Sequence, residues 1–344
     1  MASLREIAEL AKVSIGTTSF VLNGKGDQMR ISKATQQKVL EAAKTLGYRP
    51  NIMARRLRNE GGKNTPVIAI LWTVDTRASL LGRFLKGIQD KFVNQDSKFE
   101  LLIQPYENSK LHKLDSLLTA NSFNGAIIAN ASERDQFYLE NTDIKVPLVL
   151  YQRDSEKYST VNVDSFKTGE RIANLFENRG HKKVGMIIPN VSSQAIHLRK
   201  EGFINGTRNT LLDLSSNHII FGDFSEKGGY HAAKELLMKQ DLPSAIFFLS
   251  DHMAAGALAA FHEAGICIPR DIEVIGHDNY ELTQFTVPSL STVHLPVEDM
   301  ASSCVNTLLY LIENKVDKPV SVSFDTRFVF RNSCGDFSKA DLIG

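Results

Sequence analysis

Apolar residues recur at helical spacing in three short groups within residues 1–48. They are Ile7, Ala8 and Leu10 in the first group, Thr17, Thr18, Val21 and Leu22 in the second, and Val39, Leu40, Ala43 and Leu46 in the third. This spacing places each group on one face of a helix. The pattern therefore predicts three short helices that share one small core.

Residues that favour helix ends flank these groups. Ser3 followed by Glu6 fits a capping box, and Ser14 and Ser32 are suited to cap the second and third helices. Residues that tolerate a left-handed backbone stand where the second and third helices should end: Asn23, Gly24 and Gly47. The first two predicted helices are thus joined by a tight turn, as in a helix-turn-helix unit.

In such a unit the second helix enters the major groove, and helix N-termini hold phosphates. The second predicted helix offers small polar and apolar side chains at its start: Ser14, Ile15, Gly16, Thr17 and Ser19. A three-helix interaction module fits the same spacing. The residues that come after the third helix distinguish the two.

The segment after the bundle combines three arginines with one leucine. Asn51 can cap one or two helical turns that contain Arg55, Arg56, Arg58 and Leu57. Such a helix is too short to be stable alone in water and needs a partner to form. A leucine among arginines suits insertion between minor-groove base steps, with the cations on flanking phosphates. A plain linker with a solvated charged face is the alternative, and residues 59–66 form a flexible connection in either case.

From residue 67 onward, short apolar runs alternate with amphipathic helical segments, which predicts parallel sheet covered by helices. Between the first two runs, Leu81, Leu85, Ile88 and Phe92 lie on one helix face. Two doubly wound units fit the length better than one sheet of eight strands. The predicted strands are Val67–Leu71, Leu101–Gln104, Ala126–Ala129, Val146–Leu150, Val184–Ile188, Ile219–Phe221, Ala245–Leu249 and Ile272–Gly276.

Ligands of open α/β sheets bind outside the carboxyl ends of the strands. Polar and aromatic residues come directly after several predicted strands at this edge. They are Trp72 and Asp75, Gln152 and Arg153, Asp223 and Phe224, Ser250 and Asp251, and His277, Asp278 and Asn279. We therefore expect a polar ligand site at these strand ends.

Charge is distributed unevenly along the 344 residues. The whole chain has a formal net charge of +1, but residues 1–60 carry 11 basic and 5 acidic side chains, which leaves 29 basic and 34 acidic in the rest. A basic head on a mildly acidic body is expected when only the head meets a polyanion. The charge pattern therefore favours a nucleic-acid-binding head.

Composition excludes several other classes. Charged residues make up 23% and hydrophobic residues 42% of the chain, a globular balance without an apolar run long enough to span a bilayer. The first residues lack the features of a secretory signal. Cys267, Cys304 and Cys334 match neither a zinc site nor a disulfide framework. We expect a soluble, cytoplasmic protein with reduced thiols.

Residues 4–58 resemble the headpiece and hinge of the lactose repressor and galactose repressor (LacI/GalR) family of bacterial transcription regulators. The resemblance lies in the run from Ile7 to Asn23 and in Arg49, Pro50, Asn51, Ala54, Arg55 and Leu57. It implies that Ile15 and Gly16 vary with operator sequence and that Leu57 intercalates. Phe20 departs from the family, which usually has a guanine-reading arginine there. The DNA-contacting set implied is Ser14, Ile15, Gly16, Thr17, Ser19, Phe20, Asn23, Asn51, Ala54, Arg55 and Leu57.

The resemblance continues through nearly all of the body. It includes Gly180–Val184, Arg199 before Gly202, Gly222–Phe224, Ala245–Met253 and Gly276–Asp278. It implies a fold similar to periplasmic sugar-binding proteins, with two lobes, three chain crossings and an effector in the cleft. Arg199 and Asp278 would grip the effector, Phe224 would stack on it, and Ser250 and Asp164 would line the site.

The residue chemistry alone leaves the effector class open. An arginine fork with a carboxylate binds vicinal hydroxyls, and an aromatic face suits either a sugar ring or a planar base. Ser250 replaces an asparagine common in the family, which removes one amide from the site. We favour a sugar or sugar derivative. The expected effector-binding set is Asp75, Arg153, Asp164, Arg199, Phe224, Ser250 and Asp278.

Each candidate has a structural alternative. Arg199 fits a surface cation and Asp278 fits a turn cap, while Phe224 and Trp72, taken singly, fit core positions better than ligand contacts. Cys304 lies on an apolar helix stripe and is expected in the core. No metal-ligand motif or phosphate loop is present, and His277 beside Asp278 has no accompanying nucleophile. We therefore expect no catalysis, no cofactor and no metal.

The expected architecture is an all-α helix-turn-helix headpiece with a hinge helix, followed by an α/β two-lobed effector domain like that of periplasmic binding proteins. The headpiece should occupy 1–48, the hinge and linker 49–66, the effector and dimerisation domain 67–335 and a tail 336–344. Within the effector domain we expect an N-lobe at about 67–162 and 292–320 and a C-lobe at about 163–291 and 321–335.

The function expected is that of a homodimeric regulator, most simply a repressor, that binds a near-palindromic DNA operator under control of a small molecule. The last residues show no heptads for a tetramerisation tail. The effector could release DNA as an inducer or tighten binding as a corepressor. A solute-binding protein and an α/β hydrolase without a gene-regulatory role are the alternatives.

Overall fold

The computed structural model describes residues 3–48, 65–73, 78–94, 99–119, 121–239, 241–314 and 318–336. The chain forms two compact units, of which the smaller holds the N-terminal helices and the larger begins at Thr65. Five of the expected site residues lie outside the described residues: Asn51, Ala54, Arg55, Leu57 and Asp75. Within the described ranges, no helix is long and apolar enough to cross a membrane.

The smaller unit contains the three predicted helices: α1 (Leu4–Ala11), α2 (Ile15–Leu22) and α3 (Lys33–Thr45). The predicted caps are confirmed. Ser3 and Glu6 form a capping box, and the hydroxyls of Ser14 and Ser32 each accept a hydrogen bond from the amide of the third residue of their helix. Lys12 ends α1 in the left-handed conformation, with φ of 54°. The tight turn between α1 and α2 is thus built without glycine.

The headpiece core is smaller than the sequence predicted. Its buried apolar residues are Ile7, Ala11, Val21, Val39, Ala42 and Ala43. Leu10, Leu40 and Leu46 were predicted to be buried, and this is wrong, since all three are exposed. In three short helices each helix can bury only one narrow stripe. The stripes run through small alanines, which leaves the adjacent leucines at the surface.

The larger unit contains two six-stranded sheets. The first has the order β11-β5-β4-β3-β1-β2 and is parallel, and the second has the order β12-β10-β9-β8-β6-β7, in which only β12 is antiparallel. The strands are β1 Val67–Thr73, β2 Glu100–Tyr106, β3 Gly125–Ala129, β4 Leu148–Tyr151, β5 Ser159–Val163, β6 Val184–Pro189, β7 Ile219–Gly222, β8 Ala245–Phe248, β9 Glu273–Asp278, β10 Ser291–His294, β11 Ser321–Phe324 and β12 Arg327–Val329.

Helices cover both sheets. They are α4 Ala78–Asn94, α5 Ser116–Thr119, α6 Glu133–Glu140, α7 Ser165–Asn178, α8 Gln194–Arg208, α9 Glu226–Leu237, α10 Asp251–Glu263 and α11 Val297–Asn314. Short 3-10 helices lie at Leu111–Lys113, Ser216–His218, Glu281–Gln284 and Asn332–Cys334. The two-lobed α/β architecture is as the sequence predicted.

The chain crosses between the sheets three times, after β5, after β10 and after β11. The expected lobe limits at 291/292 and 320/321 fall a few residues early. Ser291–His294 pairs with β9 in the second sheet, and Ser321–Phe324 pairs with β5 in the first. These strands are short and rich in serine and threonine, so hydrophobicity does not distinguish them from the connecting segments.

Three apolar clusters hold the larger unit together. One joins the first sheet to α4 and α11 and includes Trp72 and Cys304. The second packs one face of the second sheet against α7 and α8 and includes Phe224, and the third packs the other face against α9 and α10. The predicted core position of Cys304 is confirmed, and the cysteines are free thiols.

Glycines let α7 and α8 approach closely. A Cβ at Gly202 would lie 1.9 Å from the Phe166 carbonyl oxygen, and one at Gly169 would lie 2.2 Å from the Arg199 carbonyl oxygen. Backbone atoms cannot give way as a flexible side chain can. The glycines therefore fix the position of α8, which carries Arg199.

We expect Gly202→Ala to destabilise the larger unit, because the added methyl group must push the two helices apart. The expected loss in the free energy of unfolding is about 1–3 kcal/mol or more, the usual range for overpacking. Urea unfolding of the purified protein measures it. The matched control is Gly82→Ala in α4, where a Cβ meets nothing within 4 Å. Equal stability of the two variants would contradict the close-approach argument.

Candidate functional site

One face of α2 is free of the headpiece core. Thr18 and Val21 point inward, while Ser14, Ile15, Gly16 and Phe20 are exposed. Partly exposed residues of the same helix complete the set predicted from the sequence: Thr17, Ser19 and Asn23. The described part of the predicted DNA-contacting set therefore lies on one accessible helix.

The polar groups of α2 are arranged by local hydrogen bonds. Ser14 Oγ lies 2.9 Å from Thr17 Oγ1 and accepts the Thr17 amide at 3.0 Å. Asn23 Nδ2 donates to the Ser19 carbonyl at 2.7 Å. The first turn of α2 contains no acidic side chain. The helix therefore presents an uncompensated positive N-terminus to an anion, flanked by the apolar side chains of Ile15 and Phe20.

A second candidate site is a closed cavity between the two sheets, with a volume of about 40 Å³. Residues at the carboxyl ends of strands line it from both sides. From the first sheet come Asn130, Tyr151 and Gln152, and from the second sheet and α8 come Arg199, Phe224 and Asp278. Such a volume holds a few water molecules but no ring of a sugar or base.

The cavity wall contains charged groups that are buried and incompletely paired. Arg199 is 3% exposed and Asp278 is 4% exposed. Arg199 Nη1 makes one long contact of 3.4 Å with the Leu249 carbonyl, and no ion pair joins Arg199 to Asp278 within these described elements. Arg199 Nε, Asp278 Oδ2 and Asn130 Nδ2 have no hydrogen-bond partner. Leaving such groups unpaired is costly unless a ligand satisfies them.

Burial lowers the pKa of Arg199 to about 10, and the negative charge of Asp278 opposes this effect. Arg199 is therefore still a cation at neutral pH. Burial also lowers the pKa of His277 to about 4, helped by the charge of Arg199 and opposed by the hydrogen bond to Asp278. The imidazole of His277 is thus neutral, and its Nδ1 lies 2.9 Å from Asp278 Oδ1.

The backbone at the cavity is unusual at three strand ends. Asn130, Gln152 and Asp278 have φ of 59°, 60° and 111°. Positive φ is unfavourable for residues with a side chain, and such residues cluster at functional sites. The turn after β9 is secured by the buried Asp251, which accepts hydrogen bonds from the Tyr280 amide at 2.9 Å and from Thr292 Oγ1 at 2.6 Å.

The structure places the predicted effector residues in different surroundings. Arg199, Phe224 and Asp278 meet in the cavity wall. Ser250 is buried at the start of α10, where its hydroxyl makes no capping bond and has no partner. Ser250 thus keeps an available hydroxyl.

Arg153 and Asp164 do not line this cavity. Arg153 is buried behind the wall, where it donates to Gln136 Oε1 at 2.7 Å and to the Ala131 carbonyl at 2.9 Å. Asp164 is exposed and caps α7 by accepting the Lys167 amide at 2.8 Å. Both side chains have structural partners in this conformation.

Two cavity residues were not predicted from the sequence. Asn130 comes directly after the predicted strand Ala126–Ala129, so the strand-end rule alone would have found it. Tyr151 ends β4, and its ring belongs to the buried cluster beside Phe84 at 5.1 Å between ring centroids. Hydrophobicity marks such a tyrosine as core rather than site.

A larger, open cavity of about 450 Å³ adjoins the closed one and shares Ser193 and Ile196 with it. Glu133 of α6 faces the segment before α8 across this opening. Gln194 Oε1 accepts the Asp154 amide at 2.8 Å across the same edge. The open cavity is therefore the mouth of a cleft whose inner end is closed.

Acidic, histidine and cysteine side chains do not gather at a metal site. Among the residues that the structure describes, no group of three or more could hold a metal ion. The His277–Asp278 pair contacts no serine, threonine or cysteine nucleophile in its hydrogen bonds. The chemistry that the cavity offers is hydrogen bonding to a polar ligand.

Comparisons with known proteins agree with this architecture. The family "Bacterial regulatory proteins, lacI family" matches residues 3–51, and "Periplasmic binding protein-like domain" matches residues 173–334. The HTH-type transcriptional repressor PurR of Salmonella arizonae is 28% identical over 341 residues, which cover 98% of each chain.

Solved structures extend the similarity. A LacI family transcription regulator from Clostridium acetobutylicum is 35% identical with a TM-score of 0.75, covering 78% of this chain and 100% of that one. The complex of the transcriptional regulator CelR with cellobiose is 23% identical with a TM-score of 0.70, covering 97% of this chain and 100% of that one. The helix-turn-helix headpiece, the two-sheet body and these relatives together show that the chain belongs to the LacI family of DNA-binding transcription regulators.

Proposed function

We propose that this regulator is a repressor whose affinity for a near-palindromic operator is controlled by a sugar or sugar derivative bound between the two sheets. The observation that carries the proposal is the buried pair of Arg199 and Asp278, each with an unpartnered atom at one closed cavity. A buried cation and carboxylate that do not pair with each other are suited to a ligand that bridges them.

The ligand must supply complementary groups. Asp278 Oδ2 needs a hydrogen-bond donor, while Arg199 Nε and Asn130 Nδ2 need acceptors. Adjacent hydroxyls of a sugar act as donor and acceptor at once, and the Phe224 ring offers an apolar face for the sugar ring. A purine also carries donors and acceptors side by side, and the similarity to PurR makes purines the alternative effector class.

Ligand entry requires the lobes to separate. The inner cavity of about 40 Å³ is far below the usual size of a ligand pocket, and the Gln194–Asp154 contact closes its mouth. A ligand that prefers one lobe arrangement shifts the population toward it. Coupling of this kind typically amounts to about 1–3 kcal/mol between two sites.

For DNA recognition we propose that α2 enters the major groove, with Ile15, Gly16 and Phe20 facing base edges. An apolar side chain favours the methyl group of thymine, whereas an arginine would read guanine. Ser14 and Thr17 are placed to hold phosphates with the amides of the helix N-terminus. Leu57 of the hinge is proposed to insert into the minor groove of the operator centre, and a homodimer supplies the two headpieces for two half-sites.

We expect Phe20→Arg to change the preferred base at one position of each half-site, because a guanidinium favours guanine by about 1–3 kcal/mol. Selection of random duplex DNA on purified protein measures the preference. The control is Leu40→Arg, which adds the same charge at an exposed position of α3. It should strengthen binding to all sequences without changing the selected one. An unchanged sequence for Phe20→Arg would show that position 20 does not read bases.

We expect Asp278→Ala to abolish the effector response while leaving the affinity for DNA without effector nearly intact. Loss of a hydrogen bond to a charged group should weaken effector binding by about tenfold or more. Fluorescence anisotropy of the selected operator, with and without D-ribose, cellobiose or guanine, measures the response. Asp271→Ala, at an exposed aspartate outside the cavity, is the matched control. A full response in Asp278→Ala would remove Asp278 from the effector site.

A further inference from the structure

Arg83 of α4 reaches from the first lobe to the backbone of the proposed effector residue. Its Nη1 donates to the Asp278 carbonyl at 2.6 Å, and its Nη2 donates to the Leu295 carbonyl at 2.9 Å. The same guanidinium binds both carboxylate oxygens of Glu298, at 2.9 and 2.7 Å. One side chain thus joins the end of β9, the crossing after β10 and the first turn of α11.

Close helix packing sets this position. A Cβ at Gly87 would lie 2.2 Å from the Glu298 carbonyl oxygen, so α4 and the start of α11 touch backbone to backbone. Arg83 lies one turn before Gly87 on the same face of α4. Its side chain is 14% exposed, and its guanidinium lies 5.6 Å from the centre of the Tyr280 ring. Ser79, one turn earlier, lies 3.1 Å from the Tyr280 hydroxyl.

Electrostatics reinforces these contacts. Burial alone would lower the pKa of Arg83, but the hydrogen bonds and charge of Glu298, together with the charge of Asp278, raise it instead. Arg83 is therefore a permanent cation. Hydrogen bonds from a cation to a carbonyl or carboxylate are stronger than those between neutral groups.

Asp278 needs such support because its φ of 111° is unfavourable for a residue with a side chain. Two groups hold it in place: Arg83 at its carbonyl oxygen and His277 at Oδ1. The remaining atom, Oδ2, is the one left without a partner. The strained conformation thus leaves one carboxylate oxygen for a ligand.

We propose that Arg83 is a positioning residue that holds the strained backbone of Asp278 from the opposite lobe and so couples occupancy of the cavity to the first lobe. The inference rests on the proposed function of the cavity. A change in lobe arrangement that moves α4 relaxes Asp278, and a ligand on Asp278 favours the arrangement in which Arg83 holds it. The alternative is that Arg83 serves only as an ion-pair partner for Glu298.

The chain offers matched variants for the test. Arg83→Met removes the bond to Asp278, whereas Glu298→Gln keeps that bond and removes the negative charge. Arg171→Met is the control, because Arg171 Nη1 also binds a carbonyl, that of Thr326 at 2.9 Å, and its guanidinium also covers a ring, that of Phe328 at 4.9 Å. It lies at the third crossing, away from Asp278. Arg83→Lys serves if the methionine variant fails to fold.

Two measurements on the full-length protein decide the proposal. Hydrogen exchange without ligand should become about ten- to a hundredfold faster at Asn279 and Tyr280 in Arg83→Met, the factor expected for one hydrogen bond to a charged group. Exchange in β6 should not change. Operator affinity without probe should stay within about twofold of wild type, while the response to D-ribose, cellobiose or guanine falls by about fivefold or more.

Each outcome has one meaning. Local acceleration and a reduced response in Arg83→Met, absent in Arg171→Met, support the proposal. Exchange and response equal to wild type overturn it, and so do equal effects of Glu298→Gln and Arg83→Met, since the ion pair alone would then be the cause. If no probe changes operator binding of the wild type, control by these ligand classes fails, and the exchange measurement still decides whether Arg83 holds Asp278.

Discussion

A guanidinium and a carboxylate are buried between two sheets without pairing with each other, and much of the body is arranged around that constraint. Arg199 is placed by the glycine-mediated contact of α7 and α8. Asp278 is placed by a strained strand end, by His277 and by a bond from the other lobe. Burying such groups costs free energy that the fold recovers only if something else satisfies them. Their persistence identifies the closed cavity as the place where the protein exchanges internal strain for ligand contacts.

The same constraint links binding to movement. The cavity is too small for a sugar or base, so the lobes must separate for a ligand to enter. Three chain crossings join the lobes, and Arg83 contacts the β9 end and the crossing after β10 at once. In a fold built from two rigid sheets, small changes at this junction become rigid-body changes in lobe arrangement. A LacI-family regulator can thus use one cleft both to recognise a ligand and to report its presence.

Much of this fold was predictable, because the signals are local. All eight predicted strands exist, since buried parallel strands are continuous apolar runs, and Ser3, Ser14 and Ser32 cap the helices that their positions predicted. Strands β5, β10, β11 and β12 were missed because serine, threonine and charged residues dilute their hydrophobicity. The exposed Leu10 and Leu40 show that helical periodicity does not reveal which of two adjacent stripes meets a neighbouring helix.

The site was predictable only in part. Strand ends and family resemblance pointed to Arg199, Phe224 and Asp278, which the fold brings into one wall. Arg153 also comes after a strand, but its contacts with Gln136 and Ala131 depend on the three-dimensional position of α6. Arg83 lies 195 residues from Asp278 along the chain, and its role depends on the contact of α4 with α11. No sequence pattern records such long-range partnerships.

The most direct test of the account is operator binding by the purified full-length protein, measured by anisotropy on a DNA sequence selected from random duplexes, with and without sugars and purines. The account predicts that selection enriches a near-palindrome, that affinity falls steeply with salt, and that at least one sugar changes that affinity. Enrichment of no sequence under any of these conditions would contradict the assignment of α2 as the DNA-reading helix. An operator whose affinity responds to purines alone would contradict the sugar assignment.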